Sequence, residues 1–225
     1  SPTHAAHRHV IYLSDLKTEA ELAEWPALVD VVRAKVKPER DRLGSNPNNI
    51  PLKRRWWAYQ AHRPGLYEAI RGLARVLVNC QVGPHLGFAF QPSNRVFAHT
   101  LNVFALPRCA AFAVLQSRPH EGWARFFSSS MKDDMRYTPS DCFETFPFPN
   151  GWETNAHLDG AGQAYYDFRA ALMVRNNEGL TKAYNRFHDP DERDPDILRL
   201  RELHDAMDRA VLDAYGWTDI QPKSE

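Results

Sequence analysis

The segment from residue 136 to residue 149 limits the folds open to this chain more than any other stretch. It reads Arg-Tyr-Thr-Pro-Ser-Asp-Cys-Phe-Glu-Thr-Phe-Pro-Phe-Pro, with three phenylalanines and three prolines among polar residues. Pro147 and Pro149 each lack a backbone donor and push the preceding residue toward extended geometry. The segment therefore cannot continue as a helix or pair as a central strand, and either an extended edge or a packed seam is predicted.

The composition is that of a globular domain. The chain has 225 residues, of which 43% are hydrophobic, which is enough for a substantial core. No run approaches the roughly 18 apolar residues that a membrane-spanning helix needs, so we expect no membrane contact and a cytoplasmic location. Cys80, Cys109 and Cys142 lie far apart, which indicates a reducing compartment and neither a zinc ribbon nor a disulfide framework.

The net charge of zero is a cancellation between two unlike parts of the chain. Residues 1–150 have 19 Lys and Arg against 13 Asp and Glu (+6), and residues 151–225 have 9 against 15 (−6). Residues 33–75 alone have 11 basic and 3 acidic residues (+8). Such a cluster is typical of a surface that binds a polyanion, most often a nucleic acid, although a solvated basic face is the alternative.

Within the basic cluster, three cations adjoin three aromatic residues in the sequence Lys-Arg-Arg-Trp-Trp-Ala-Tyr at residues 53–59. Cations beside aromatic side chains suit phosphate contact next to a packed platform. The residues predicted to contact phosphate are Lys53, Arg54, Arg55, Arg63, Arg71 and Arg75.

Strands are predicted at residues 75–78, 86–90 and 95–106, which are rich in β-branched and aromatic residues. Polar side chains that donate or accept hydrogen bonds collect at the turns between them. Such groups read base edges in DNA, although turns are polar in most proteins. The residues predicted to read bases are Asn79, Gln81, His85, Gln91, Ser93, Asn94, Arg95 and His99.

The hydrophobic spacing predicts an α+β fold with the helices concentrated in the second half. A strand is predicted at residues 9–13, a capped helix from Thr18 and a helical segment starting at Pro26. A buried apolar helix is predicted at residues 107–116, and further helices at 161–174, 180–188 and 196–215, the last from apolar positions three and four apart. The chain is thus divided into a mixed sheet-and-helix domain at residues 1–149 and an α-helical hairpin subdomain at residues 150–225.

No catalytic or metal-binding residue is predicted. The sequence has no glycine-rich cofactor loop, nucleophile elbow or phosphate loop. Lys132, Asp133, Asp134 and Glu144 invite comparison with a metal-dependent nuclease, in which carboxylates and a lysine converge on a cation. A nuclease is therefore the enzymatic alternative, although adjacent aspartates before a turn are usually solvated.

Two stretches carry a family resemblance. They are the segment at residues 136–149 and the helical tail, which contains Gly-Leu-Thr-Lys-Ala-Tyr-Asn-Arg-Phe-His-Asp-Pro at 179–190 and Leu-His-Asp-Ala-Met-Asp-Arg-Ala-Val-Leu-Asp-Ala-Tyr-Gly-Trp at 203–217. From about Arg54 onward the chain resembles the C-terminal region of large bacterial adenine-specific DNA methyltransferases. These are the fused Type IIG and Type IIL restriction–modification enzymes and their phage-defence relatives.

The resemblance implies a target recognition domain followed by a helical spacer. In that family the Asn-Pro-Pro-aromatic catalytic motif and the S-adenosylmethionine loop lie upstream, and neither occurs here. The implied partners are double-stranded DNA and an upstream methyltransferase domain of the same polypeptide, which would hold S-adenosylmethionine; no cofactor is expected in this chain. The alternative is a protein–protein interaction module of a defence complex, with an acidic protein meeting the basic stretch.

The opposite net charges of residues 1–150 and residues 151–225 predict which part of the chain faces DNA. An acidic surface repels a duplex within the Debye length, about 8 Å at physiological salt, so the helical tail should lie away from the DNA. The turns around Gln81, Asn94 and His99 are then expected to read sequence.

The isolated chain is expected to have no methyltransferase activity, because the cofactor loop and the catalytic motif are absent from its sequence. Incubation with labelled S-adenosylmethionine and mixed duplex DNA should transfer no label to the DNA. Transfer above a protein-free control would contradict the assignment.

Overall fold

The computed structural model describes residues 1–6, 8–60, 62–131 and 134–221. The chain forms two compact units: a small unit of Ala6–Ala69, and a large unit of Ser1–Ala5 together with Ile70–Glu225. Neither boundary falls at residues 149 and 150, because residues on both sides of that point share the core of the large unit. The domain boundary predicted there remains a prediction.

The small unit is built from short helices. A 3-10 helix at Ala20–Glu24 precedes α1 (Pro26–Lys35), α2 (Lys37–Asp41), α3 (Ile50–Arg54) and α4 (Pro64–Ala69). Proline stands at the start of α1, α2 and α3, where its missing N–H has no helical partner to lose. The core of this unit consists of Leu13, Leu22, Val29, Val32, Trp56, Trp57 and Ala58.

The strand predicted at residues 9–13 does not form. These residues have no regular backbone pairing, and among its described residues the small unit contains no strand with which they could pair. The apolar side chains are used in another way. Leu13 is buried in the small core, and the Tyr12 ring stacks with the Tyr59 ring, their centroids 6.0 Å apart.

The large unit contains two small antiparallel sheets. Its strands are β1 (Arg75–Cys80), β2 (Val82–Gly83), β3 (Phe88–Pro92), β4 (Leu101–Phe104), β5 (Ser129–Met131) and β6 (Asp134–Arg136). The first sheet has the order β3-β1-β4 and the second the order β2-β6-β5. The strands predicted at residues 75–78 and 86–90 are confirmed as β1 and β3. The strand predicted at residues 95–106 is shorter than expected, since only Leu101–Phe104 form β4.

The helices of the large unit confirm the predicted pattern. They are α5 (Cys109–Gln116), α6 (Arg118–Phe127), α7 (Pro139–Cys142), α8 (Ala156–Asn176), α9 (Leu180–Phe187) and α10 (Pro195–Tyr215), with a 3-10 helix at Trp152–Thr154. Asn177 and Gly216 close α8 and α10 in the left-handed conformation, with φ of 51° and 77°. Among the described residues, no helix has the length and apolar character needed to cross a membrane.

Helix α5 is buried along its whole length, and α8 crosses it closely. The crossing depends on Gly162, because a Cβ atom at this position would lie 2.3 Å from the carbonyl oxygen of Cys109. No side chain fits into that space without moving one helix away from the other. The α8 helix is thereby held in contact with the core.

The segment at 136–149 packs as predicted but is not wholly extended. Residues Pro139–Cys142 form the short helix α7, which is possible because proline is tolerated at the first helical position. Cys142 and Phe146 are buried, and the Tyr215 hydroxyl of α10 donates to the Pro147 carbonyl at 2.6 Å. The segment is therefore a seam between the body of the large unit and its last helix.

Gln116, at the end of α5, joins several elements of the large unit. Its side-chain oxygen accepts from the Phe88 amide at 3.0 Å and from Arg169 at 3.2 Å, and its side-chain nitrogen donates to the Leu86 carbonyl at 2.9 Å. The Gln116 carbonyl lies 3.2 Å from Nε2 of His204. The Gln116 side chain thus connects the entry to β3 with α8, and its backbone carbonyl adds a contact to α10.

Gln116→Ala should destabilise the protein by about 2–4 kcal/mol, because it leaves buried donors and an acceptor without partners. Chemical denaturation measures this loss. Gln60→Ala, at an exposed glutamine, should stay within about 0.5 kcal/mol of the unchanged chain. Equal stability of the two variants would show that the Gln116 connections are not needed.

Candidate nucleic-acid interface

The residues predicted to read bases fall at opposite ends of the first sheet. Arg75, the first residue of β1, pairs with Pro92, and Cys80, the last, pairs with Leu101. Six residues of strand span about 17 Å. The sheet therefore has an Asn94 end, with residues 91–95, and a Gln81 end, with Gln81 and residues 98–100.

Asn79 is inside the protein. Its side chain is 3% exposed, and its oxygen accepts from Asn102 at 2.9 Å. The Asn102 amide also donates to the Tyr137 carbonyl at 3.2 Å. The prediction that Asn79 reads a base is therefore wrong in this structure, because β1 continues through Asn79 and directs its side chain into the core.

The polar residues at the Asn94 end mostly bind their own protein. The Ser93 hydroxyl donates to the Leu73 carbonyl, and the Arg95 guanidinium donates to the Gln91 side chain. These bonds shape the turn after β3. Asn94 is exposed, so a ligand could reach its side-chain amide.

His85 is held against α9. Its Nε2 lies 2.7 Å from the Asn185 side-chain oxygen, and its ring stacks on His188 with centroids 5.0 Å apart. Burial is the main cause that lowers the pKa of His188 below its ordinary value. His85 therefore packs against α9, and the base contact predicted for it remains a prediction.

The Gln81 end brings together segments that are distant in sequence. The Gln81 amide donates to the Thr100 carbonyl at 2.9 Å, and the Tyr137 amide donates to the Gln81 carbonyl at 2.8 Å. The Gln81 side chain is half-buried, whereas His99 and Thr100 are exposed. Hydrogen-bonding side chains are thus presented on a backbone that is fixed on both sides.

The hairpin of β5 and β6 extends the same end. Val82, which follows Gln81, pairs with Arg136, and Arg136 pairs with Ser129. Arg136 and Ser129 are exposed. The sequence reasoning missed both residues, although alternating residues on either side of a short turn are a hairpin signal.

The residues compared with a nuclease site do not form one in the described part of the chain. Lys132 and Asp133, between β5 and β6, lie outside the described residues. Asp134 is half-buried and Glu144 is exposed. Among the described residues, no three His, Cys, Asp or Glu side chains are placed to hold a metal ion.

Two of the six predicted phosphate contacts are structural. The Arg55 guanidinium donates to the carbonyls of Ser14 at 2.7 Å and Leu16 at 3.0 Å. The Arg75 guanidinium donates to the Pro107 carbonyl at 2.8 Å and lies 3.9 Å from the Phe90 ring centroid. Backbone carbonyls accept from both guanidinium groups, which holds Arg55 and Arg75 against their own protein and argues against a phosphate contact for either.

The other four cations reach the surface but belong to different units. Lys53, Arg54 and Arg63 lie in the small unit, where Lys53 is half-buried and the two arginines are exposed. Arg71 is exposed in the large unit. A phosphate role for these four residues remains a prediction.

Comparison with known proteins gives the class of this chain. A family model for a target recognition domain matches residues 3–150, so the chain belongs to that family. The family is the target recognition domain of MmeI. The resemblance inferred from the sequence is thereby confirmed.

Structure comparison supports the same fold. A solved structure of MmeI, described as a Type IIL restriction-modification enzyme in complex with DNA, matches 88% of this chain with a TM-score of 0.68 at 20% identity. The match spans 25% of that MmeI chain. No curated protein matches the sequence. The predicted α+β class is confirmed.

Arg54 and Arg55 are neighbours with different surroundings, and they provide a matched pair of variants. Arg55→Ala should destabilise the small unit by about 1–3 kcal/mol, because its bonds to two carbonyls are lost. Arg54→Ala should leave stability within about 0.5 kcal/mol. Arg54→Ala should also weaken duplex binding. The slope of log K against log salt concentration should become less steep by about 0.9, the value for one phosphate contact.

Denaturation and gel shifts over a salt series measure the two effects. An unchanged salt slope for Arg54→Ala would favour an acidic protein as the partner of the basic stretch.

Proposed function

We propose that this chain selects the DNA sequence on which a restriction–modification enzyme acts. Membership of the MmeI target recognition domain family, over residues 3–150, is the observation that carries the proposal. The structural neighbour is an enzyme of this kind in complex with DNA. The Gln81 end supplies a surface suited to the task.

The proposed reading surface consists of Gln81, His99, Thr100 and Arg136. Amide, imidazole and hydroxyl groups donate to and accept from base edges, and arginine forms paired bonds with guanine O6 and N7. The hairpin of β5 and β6 is a two-stranded ribbon, a shape that the major groove, about 12 Å wide, admits. The backbone bonds of Gln81 hold these groups at fixed positions, which favours discrimination between sequences.

The acidic helices support this surface from within the large unit. Several carboxylates of residues 151–225 are paired with a cation of the same unit: Arg186 binds Glu178, Glu192 and Asp194 at 3.4, 2.7 and 2.7 Å. Because α8, α9 and α10 share a core with the first sheet, they can hold it without touching DNA. We assign them a supporting role away from the duplex.

The chemical step belongs to another part of the enzyme in this proposal. An upstream domain of the same polypeptide binds S-adenosylmethionine and methylates adenine, in the cytoplasm where the DNA lies. This chain supplies the sequence preference and no catalytic residue. This chain spans about a quarter of the length of the MmeI chain that it matches. The division of labour between the two domains is therefore proposed from the family.

Selection from a pool of randomised duplexes tests the function. The chain should enrich one short sequence. His99→Ala should weaken the preference for one base at one position of that sequence, by about 1–3 kcal/mol of binding free energy. Glu202→Gln, at an exposed position on α10, should enrich the original sequence. A pool without enrichment, or a preference that changes with Glu202 and not with His99, would contradict the proposal.

A further inference from the structure

Phe126 has the largest exposed fraction, 81%, of any large apolar side chain among the described residues. It is the next-to-last residue of α6, and the following residue, Phe127, is 43% exposed. Aromatic side chains usually dominate cores and interfaces, so exposed rings side by side indicate a surface that meets a partner.

The Phe126 ring packs against a row of aromatic side chains. Phe126 meets Phe127 edge-on with centroids 4.9 Å apart, and Phe127 contacts Trp123 at 4.6 Å. The Trp123 indole nitrogen donates to the Thr145 hydroxyl at 3.2 Å, and its ring lies 5.8 Å from that of buried Phe146. We call Trp123, Phe126 and Phe127 the aromatic ridge. Trp123 is anchored in the seam and packs against Phe127, which in turn packs against Phe126 at the exposed end of the row.

The aromatic ridge borders the Gln81 end of the sheet. Ser129, three residues after Phe126, pairs with Arg136, and Arg136 pairs with Val82. Three residues of chain span at most about 10 Å. Phe126 is therefore adjacent to the surface assigned to base reading, on the side of the hairpin.

The charges near the aromatic ridge suit a nucleic acid. The Arg125 side chain is 48% exposed, whereas its partner Glu121 is 19% exposed. Arg136 is exposed as well. Positive groups thus face outward while the carboxylate is largely covered. Rings beside cations are the combination that stacks on bases and contacts the phosphates around them.

We propose that Phe126 inserts as a wedge at one base step of the duplex bound at the Gln81 end. The inference rests on the proposed function. Proteins that distort DNA insert apolar side chains, phenylalanine included, between base steps and unstack them. An unstacked step lowers the cost of extruding a nearby base, which an enzyme that modifies a base requires. Phe126 then prepares the DNA, while the residues of the Gln81 end select it.

The test uses the 225-residue chain and the duplex that it enriches from a randomised pool. 2-Aminopurine, whose fluorescence rises on unstacking, replaces each position of the duplex in turn. The chain should raise the fluorescence at one step. Phe126→Ala should abolish the rise and weaken binding about 10-fold, equivalent to about 1.4 kcal/mol. Phe126→Leu, which keeps an apolar wedge, should restore both.

Val174→Ala is the matched control, because Val174 is 54% exposed on α8 in the same unit. It should leave fluorescence and affinity unchanged. The wedge is overturned if the duplex binds without any rise, or if Phe126→Ala keeps both the rise and the affinity. If the chain enriches no duplex, the proposed function fails, and the wedge fails with it.

Discussion

The large unit depends on a positive charge buried without a carboxylate. The Arg169 side chain is 1% exposed and donates to the Phe88 carbonyl and the Tyr184 hydroxyl, each at 2.6 Å, and to Gln116. Among the described residues no carboxylate pairs with it, and the Phe112 ring centroid lies 5.1 Å from its guanidinium carbon. A buried charge is tolerated only where such bonds are complete. These bonds therefore hold the sheet and the C-terminal helices together, and the acidic tail supports the Gln81 end of the sheet.

Much of the large unit could be predicted from the sequence. Helices α9 and α10 show clear apolar spacing, α5 is a continuous apolar run, and β1 and β3 are strong runs of strand-forming residues. The shortest elements could not be predicted, because β2 has two residues and owes its existence to its partner β6. The strand predicted at residues 9–13 fails for the same reason. Its residues favour a strand, but no partner strand lies beside them among the described residues of the small unit.

The candidate site could be predicted only in part. Polar residues at the ends of strands were found, but strand register decides which of them share an end, and register is set by pairing over long distances. Asn79 and Asn94 look alike in sequence, yet one is buried against Asn102 and the other is exposed. Charge counting has a similar limit, because Arg55 adds to the basic cluster while its guanidinium holds two carbonyls of its own unit.

Hydrogen–deuterium exchange, with and without the enriched duplex, tests the central claim most directly, namely that DNA is held at the Gln81 end with the helices behind it. The account predicts that DNA slows amide exchange at residues 97–100 and along β6, while exchange in α10 stays unchanged. Slower exchange confined to α8, α9 and α10 would contradict it.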